Sequence, residues 1–165
     1  MDNREDFGRF EISSCSEADT EGLGEALGRI LEPGDVVGLV GDLGAGKTAF
    51  VRGVARGAGV PAHCPVNSPT FTIMNLYDSP DVGICHLDLY RLSTSDEWEG
   101  VGVPELLGGA RALLVEWADR FTGSMPSHTL WVTINLAGEE GRALLVEAKD
   151  PRGADLALSW KAELD

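Results

Sequence analysis

Cysteine is scarce in this 165-residue chain: Cys15, Cys64 and Cys85 are odd in number and show no CxxC spacing. That argues against a disulfide framework or a zinc site. The three read instead as small apolar residues in a reducing compartment. Positive charge is scarce too, with 13 Lys and Arg against 27 Asp and Glu and a formal net charge of −14. Non-specific affinity for nucleic acid comes mainly from Lys and Arg on phosphates. No stable direct binding to RNA or DNA is therefore expected, and the acidic surface favours solubility or docking on a basic protein partner. No apolar run approaches the ~20 residues that span a bilayer. The start, Met1-Asp2-Asn3-Arg4-Glu5-Asp6, is polar and unlike a secretory signal peptide. A cytoplasmic location away from membranes is expected. No N-K-x-D base-reading motif occurs, which disfavours a guanine-specific enzyme.

What is present is one glycine loop in the right surroundings. Gly41-Asp42-Leu43-Gly44-Ala45-Gly46-Lys47-Thr48 fits G-x-x-x-x-G-K-[ST], a phosphate-cradling P-loop. Asp35 to Val40 runs apolar and β-branched into it, as a buried strand does. Thr48 to Arg56 follows as a helix. This order brings backbone N–H groups and a positive helix end around one polyphosphate. The glycines allow close backbone approach. Lys47 is expected on the β- and γ-phosphates, and the Thr48 hydroxyl on Mg²⁺, a hard cation that takes oxygen ligands. Residues 42–49, comprising Asp42, Leu43, Gly44, Ala45, Gly46, Lys47, Thr48 and Ala49, form the expected nucleotide cradle.

The length suits one domain, residues 1–165, with one core. Phe10–Ser13 reads as an edge strand. Ser16, followed by Asp19, opens a helix running through Leu23, Leu27, Ile30 and Leu31. Gly57 to Pro69 is a Gly- and Pro-rich loop. Phe71–Tyr77 and Val82–Asp88 read as hairpin-paired strands about a turn at Asp78–Asp81. Ser95 caps a short acidic helix, Asp96 to Val101, and Pro104 starts another helical turn. Ala112–Glu116 is a short apolar run ending in a carboxylate. Leu130–Leu136 and Arg142–Ala148 read as antiparallel strands, and Ala154–Leu164 as a closing helix. The expected fold is α/β, a P-loop NTPase-like three-layer α/β/α sandwich. Its central, mostly parallel sheet is extended by antiparallel strands.

Ligands in open α/β sheets bind outside the carboxyl ends of the strands, where Asp88 and Glu116 are expected. P-loop enzymes need an acidic group for Mg²⁺ and, for hydrolysis, a group that orients water. Spacing alone leaves open which of the two does which. His86, Asp88 and Tyr90 share one face if their strand continues. His86 reads as a structural hydrogen-bond partner, Tyr90 as a packed residue, and Arg91 either as a phosphate neutraliser or as half of an ion pair. Ser68-Pro69-Thr70-Phe71 could hold a γ-phosphate-sensing hydroxyl or a plain ST-turn. Trp117 reads as packed, and Trp98, Trp131 and Trp160 as core or helix-face residues.

These motifs agree in order and spacing with one family. The P-loop, Ser68-Pro69-Thr70-Phe71, His86-Leu87-Asp88-Leu89-Tyr90-Arg91 and Val115-Glu116-Trp117 together resemble the bacterial TsaE (YjeE) family over roughly residues 10–136. The resemblance implies a small ATPase in the synthesis of threonylcarbamoyladenosine at position 37 of tRNAs that read codons beginning with A. It implies ATP and Mg²⁺ as cofactors and the TsaD–TsaB heterodimer as partner, reset by ATP hydrolysis, with weak turnover alone. Lys47 and Thr48 would take phosphate and Mg²⁺. Asp88 becomes the metal-linked or switch carboxylate, Glu116 the carboxylate that polarises water or supports the metal site from behind its direct ligands, and Thr70 the switch hydroxyl. One departure is Ala49, where the family usually has a second Thr; a hydroxyl contact near the α-phosphate is lost. The segment after Leu136 carries no family motif.

Two other functions fit the loop. A small-molecule kinase would need a lid with arginines, but the stretch after Arg91 is acidic (Asp96, Glu97, Glu99). A nucleotide-gated binding module with negligible turnover would use the same residues only to fix a docking conformation.

Overall fold

A computed structural model describes residues 8–42 and 44–165. The polar start and Leu43, one of the expected cradle residues, lie outside the described residues.

Strand β1 (Arg9–Ser14) leads into helix α1 (Glu17–Gly28). Ser16 caps α1 by accepting from the Asp19 N–H at 3.1 Å, and Asp19 reaches back to accept from the Cys15 N–H at 2.9 Å. Together these satisfy two donors at the turn into the helix. Then come β2 (Val36–Val40), α2 (Lys47–Gly57), β3 (Met74–Tyr77) and β4 (Gly83–Asp88). Two short helices, α3 (Ser95–Gly100) and α4 (Val103–Leu106), precede β5 (Arg111–Glu116). A 3-10 segment at Ala118–Ser124 follows, then β6 (Leu130–Ala137), β7 (Gly141–Ala148) and α5 (Pro151–Leu164).

The sheet has seven strands in the order β1-β7-β6-β2-β5-β4-β3. Its four central strands, β6, β2, β5 and β4, are parallel. β1 and β7 extend it antiparallel on one side, and β3 on the other. Alternation along each central strand feeds two separate cores. Val37, Leu39, Ile84, Ala112 and Leu114 face the layer of α1, α2 and α5, where Phe50, Leu27 and Trp160 are fully buried. Val36, Cys85, Leu87, Leu113 and Val115 face the opposite layer, with Trp98, Val103 and Phe121. Both faces are covered, which is why these strands read as continuous apolar runs. Trp98, Trp131 and Trp160 are all buried, as the sequence suggested.

Helices α1 and α2 touch backbone to backbone. A Cβ on Gly53 would lie 1.9 Å from the Glu21 carbonyl oxygen, and one on Gly28 would lie 2.1 Å from that of Val54. Gly24 and Gly57 are closed off in the same way, at 2.3 Å from the Phe50 and 2.0 Å from the Glu25 carbonyl oxygens. Arg52 and Arg56 then clamp the seam through Glu17, Glu21 and Glu25. The contact holds α2, and with it the glycine loop, firmly against the molecule.

Several boundaries differ from the sequence reading. α1 ends at Gly28, three residues before Leu31. β3 starts at Met74 rather than Phe71, because residues 70–73 turn and Ile73 takes a φ of 70°. Thr94, not Ser95, caps α3, accepting from the Glu97 N–H at 3.2 Å. α5 begins at Pro151, capped by Asp150, rather than at Ala154. Among the described residues no helix is long and apolar enough to cross a membrane.

Candidate functional site

β2 is a central parallel strand, so its carboxyl end opens at the rim where ligands of such sheets collect. The glycine loop leaves β2 there and enters α2. Gly46 occupies the N-cap with a φ of 109°, a conformation that favours glycine. Gly41 passes so close to β6 that a Cβ would meet the Ile134 carbonyl oxygen at 2.6 Å. The Ala45 N–H donates to the Asp42 carbonyl at 3.0 Å, closing a turn within the loop.

Lys47 folds back under this turn. Its ammonium donates to the carbonyls of Gly41 and Asp42 and lies 4.2 Å from the centre of the Trp117 ring. Burial lowers the Lys47 pKa from its ordinary value, while the negative charges of Glu116, Asp88, Asp42 and Asp119 oppose that shift. Among the described residues no carboxylate pairs directly with this buried ammonium, which rests on carbonyls and a ring face.

The carboxylates reach the same rim by register. On β4, residues 84, 86 and 88 share the face that looks toward α1 and α2; on β5, residues 112, 114 and 116 do the same. The first of these fill the core, and the last, paired as Asp88 with Glu116, run out beside the glycine loop. Both are buried. Asp88 accepts from the Ser68 hydroxyl at 2.7 Å through Oδ2 and from the Tyr90 N–H at 2.9 Å through Oδ1. The Thr70 hydroxyl lies 3.4 Å from Asp88 Oδ2 and 3.3 Å from Ser68 Oγ. Glu116 Oε2 stands 2.6 Å from His86 Nε2, and His86 Nδ1 stands 3.4 Å from the Tyr77 hydroxyl. His86 is thus a fully buried hydrogen-bond partner, as expected for it.

These groups open onto a cavity of about 530 Å³. Lys47, Thr48, Ala49, Thr70, Asp88 and Glu116 all line it, with Gly44 and Gly46 from the loop. Asp42 and Ala45 build the loop's own turn and are not part of the wall. Tyr90 lines the cavity too, but from a turn, because β4 stops at Asp88 and the three-residue polar stripe has only two members. Among the described residues Arg91 pairs with no acid, and it does not reach the cavity; it stacks 4.5 Å over the exposed Phe71 ring. Trp117 is half-buried, in a left-handed conformation with φ 60°. Three features were not anticipated. Ser68, not Thr70, makes the short bond to Asp88. Thr20 from α1 and Arg142 from β7 complete the far wall. Strand order was the missing signal: with β6 parallel to β2, the β6–β7 turn must return to the loop end of the sheet.

The fold and cavity define a class: a three-layer α/β protein whose G-x-x-x-x-G-K-T loop joins a central parallel strand to a helix, with two acids at neighbouring strand tips. The family model for "Threonylcarbamoyl adenosine biosynthesis protein TsaE" matches residues 14–144. The chain is 38% identical over 130 residues to the tRNA threonylcarbamoyladenosine biosynthesis protein TsaE of Bacillus subtilis, covering 79% of this chain and 80% of that protein. It is 35% identical over 133 residues to the protein of the same name from Treponema pallidum, covering 81% and 96%. The crystal structure of YdiB from Bacillus subtilis superposes with a TM-score of 0.81 at 28% identity, over 95% of this chain and 97% of that one. The chain belongs to the TsaE family of threonylcarbamoyladenosine biosynthesis proteins.

Proposed function

We propose that this chain is an Mg²⁺-dependent ATP hydrolase, one catalytic domain, that supports a TsaD–TsaB complex in threonylcarbamoyl modification of adenosine 37 in tRNA. The observation that carries the reading is the convergence of Lys47, Thr48, Asp88 and Glu116 on one cavity at the mouth of the glycine loop. Its volume, about 530 Å³, suits a nucleotide-sized ligand.

The donor set fits the proposed cofactors. Among the described residues no group of three or more His, Cys, Asp or Glu gathers as a metal site. Mg²⁺ would therefore depend on phosphate oxygens and water, with Thr48 and one carboxylate, the usual manner for this ion. When bound, Mg²⁺ neutralises the charge that builds as the terminal phosphoryl group leaves. Lys47 trades its carbonyl acceptors for phosphate oxygens, a stronger charge-assisted pairing. Asp88, fixed through both oxygens by Ser68 and the Tyr90 N–H, is the rigid member and the metal-linked one. Glu116 has one oxygen tied to His86, which leaves its second oxygen to orient water and accept a proton. Thr70, beside Asp88, is the switch hydroxyl that senses the terminal phosphate.

Co-purification with TsaD and TsaB in the presence and absence of ATP, read by mass spectrometry, tests the proposal. The expected result is ATP-dependent recovery of both proteins. Recovery of a metabolic enzyme in their place would redirect the reading to a kinase.

A further inference from the structure

Arg142, the second residue of β7, reaches across to the glycine loop. Its Nε donates to the Ala45 carbonyl at 2.7 Å and Nη2 approaches the Gly44 carbonyl at 3.4 Å. Nη1 donates to the Gly141 carbonyl of its own hairpin at 2.8 Å. Arg52 and Arg56 spend their donors on glutamates, whereas Arg142 spends these donors on main-chain carbonyls. The planar fork of a guanidinium suits it to hold two such acceptors at once.

We propose that Arg142 is a positioning residue for phosphate binding: it holds the loop in its binding conformation before ligand arrives and ties it to the β6–β7 hairpin. This rests on the reading of the loop as a phosphate cradle. Gly44 and Gly46, with φ of 79° and 109°, flank Ala45, and glycines lose the most freedom on being ordered. A free loop of this composition would have to be ordered by the ligand itself, at a cost in affinity. A trans peptide points its N–H away from its C=O. Holding the Ala45 carbonyl therefore fixes the direction of the Gly46 N–H, at the start of α2. The Ala45 N–H is already committed to Asp42, so the two contacts clamp the segment from opposite sides. The motifs read from the sequence stop near Leu136, yet the family match runs on to residue 144 and takes in Arg142, which supplies the clamp.

The test uses Arg142→Ala and Arg142→Lys in the full chain, with Lys47→Ala as control. Calorimetric titration with Mg·ATP and Mg·ADP is expected to show about tenfold or greater weakening of both in Arg142→Ala, the scale of one lost hydrogen bond to a charged donor. Arg142→Lys should recover part of it. The rate at saturating ATP should change far less than KM. Without nucleotide, hydrogen exchange at residues 44–46 should rise in Arg142→Ala while α2 and the β6–β7 hairpin keep their protection. Unchanged affinity with unchanged loop exchange overturns the proposal, and so does an equal rise across hairpin and α2, which would mark general loosening. If wild-type protein binds no ATP, the functional reading falls, and the nucleotide-free exchange decides the clamp by itself.

Discussion

Glu116→Ala should damage two properties by amounts that separate its roles. The residue is buried, and among the described residues its side chain bonds His86 Nε2 alone, at 2.6 Å. Truncation removes the acceptor and leaves a buried ring nitrogen with none, at a cost of about 1–3 kcal/mol. Glu116→Gln keeps an oxygen facing His86 and should lose less than half as much. The activity should not follow that order. Neither alanine nor glutamine can accept a proton from water, and general-base contributions run to about 10²–10⁴-fold. Both variants should therefore lose hydrolysis alike while still binding ATP through Lys47. Urea unfolding monitored by circular dichroism gives the stability difference, and phosphate release with TsaD and TsaB present gives the rate. Full ATPase activity in Glu116→Gln would refute the assignment of Glu116 to water. Equal stability of the wild-type and alanine proteins would refute the importance of the His86 bond.

Gly53→Ala should destabilise by about 1–3 kcal/mol, the usual cost of overpacking, because its Cβ has only 1.9 Å to the Glu21 carbonyl oxygen. Gly22→Ala in the neighbouring helix meets nothing within 4 Å and should stabilise by up to about 1 kcal/mol through helix propensity; chemical denaturation compares the two. Burial pushes the Cys85 thiol from 9.0 up to about 11. A raised folded-state value means the stabilisation is complete below pH 9 and drains away as pH climbs to about 11, worth roughly 3 kcal/mol for two units. In Cys85→Ala, thermal unfolding should lose that part of its alkaline slope; an unaltered slope would remove Cys85 as its source.

Local patterns made much of this molecule readable in advance. The run Val36–Val40, the glycine loop and the following helix needed only neighbours in sequence. The β3–β4 and β6–β7 hairpins were visible from alternation and turn residues. Asp88 and Glu116 could be placed at strand tips because each ends an apolar run. What escaped the reading depends on contacts between distant segments. The His86–Glu116 bond joins β4 to β5 and cannot be seen from either alone. Gly24, Gly28, Gly53 and Gly57 look like helix-weakening residues until the two helices are laid together. Ser ranks slightly above Thr as a cap, so residue type alone points to Ser95, whereas Thr94 takes the role. The positive φ of Ile73, unusual for a β-branched residue, has no signature in sequence.

In the proposed function, Lys47 and its loop hold the phosphates of Mg·ATP. Calorimetric titration of wild-type and Lys47→Ala proteins with ATP, with and without Mg²⁺, tests it most directly. Saturable binding by the wild type, strengthened by Mg²⁺ and abolished in the variant, is the predicted result. Equal binding by the two proteins would contradict it.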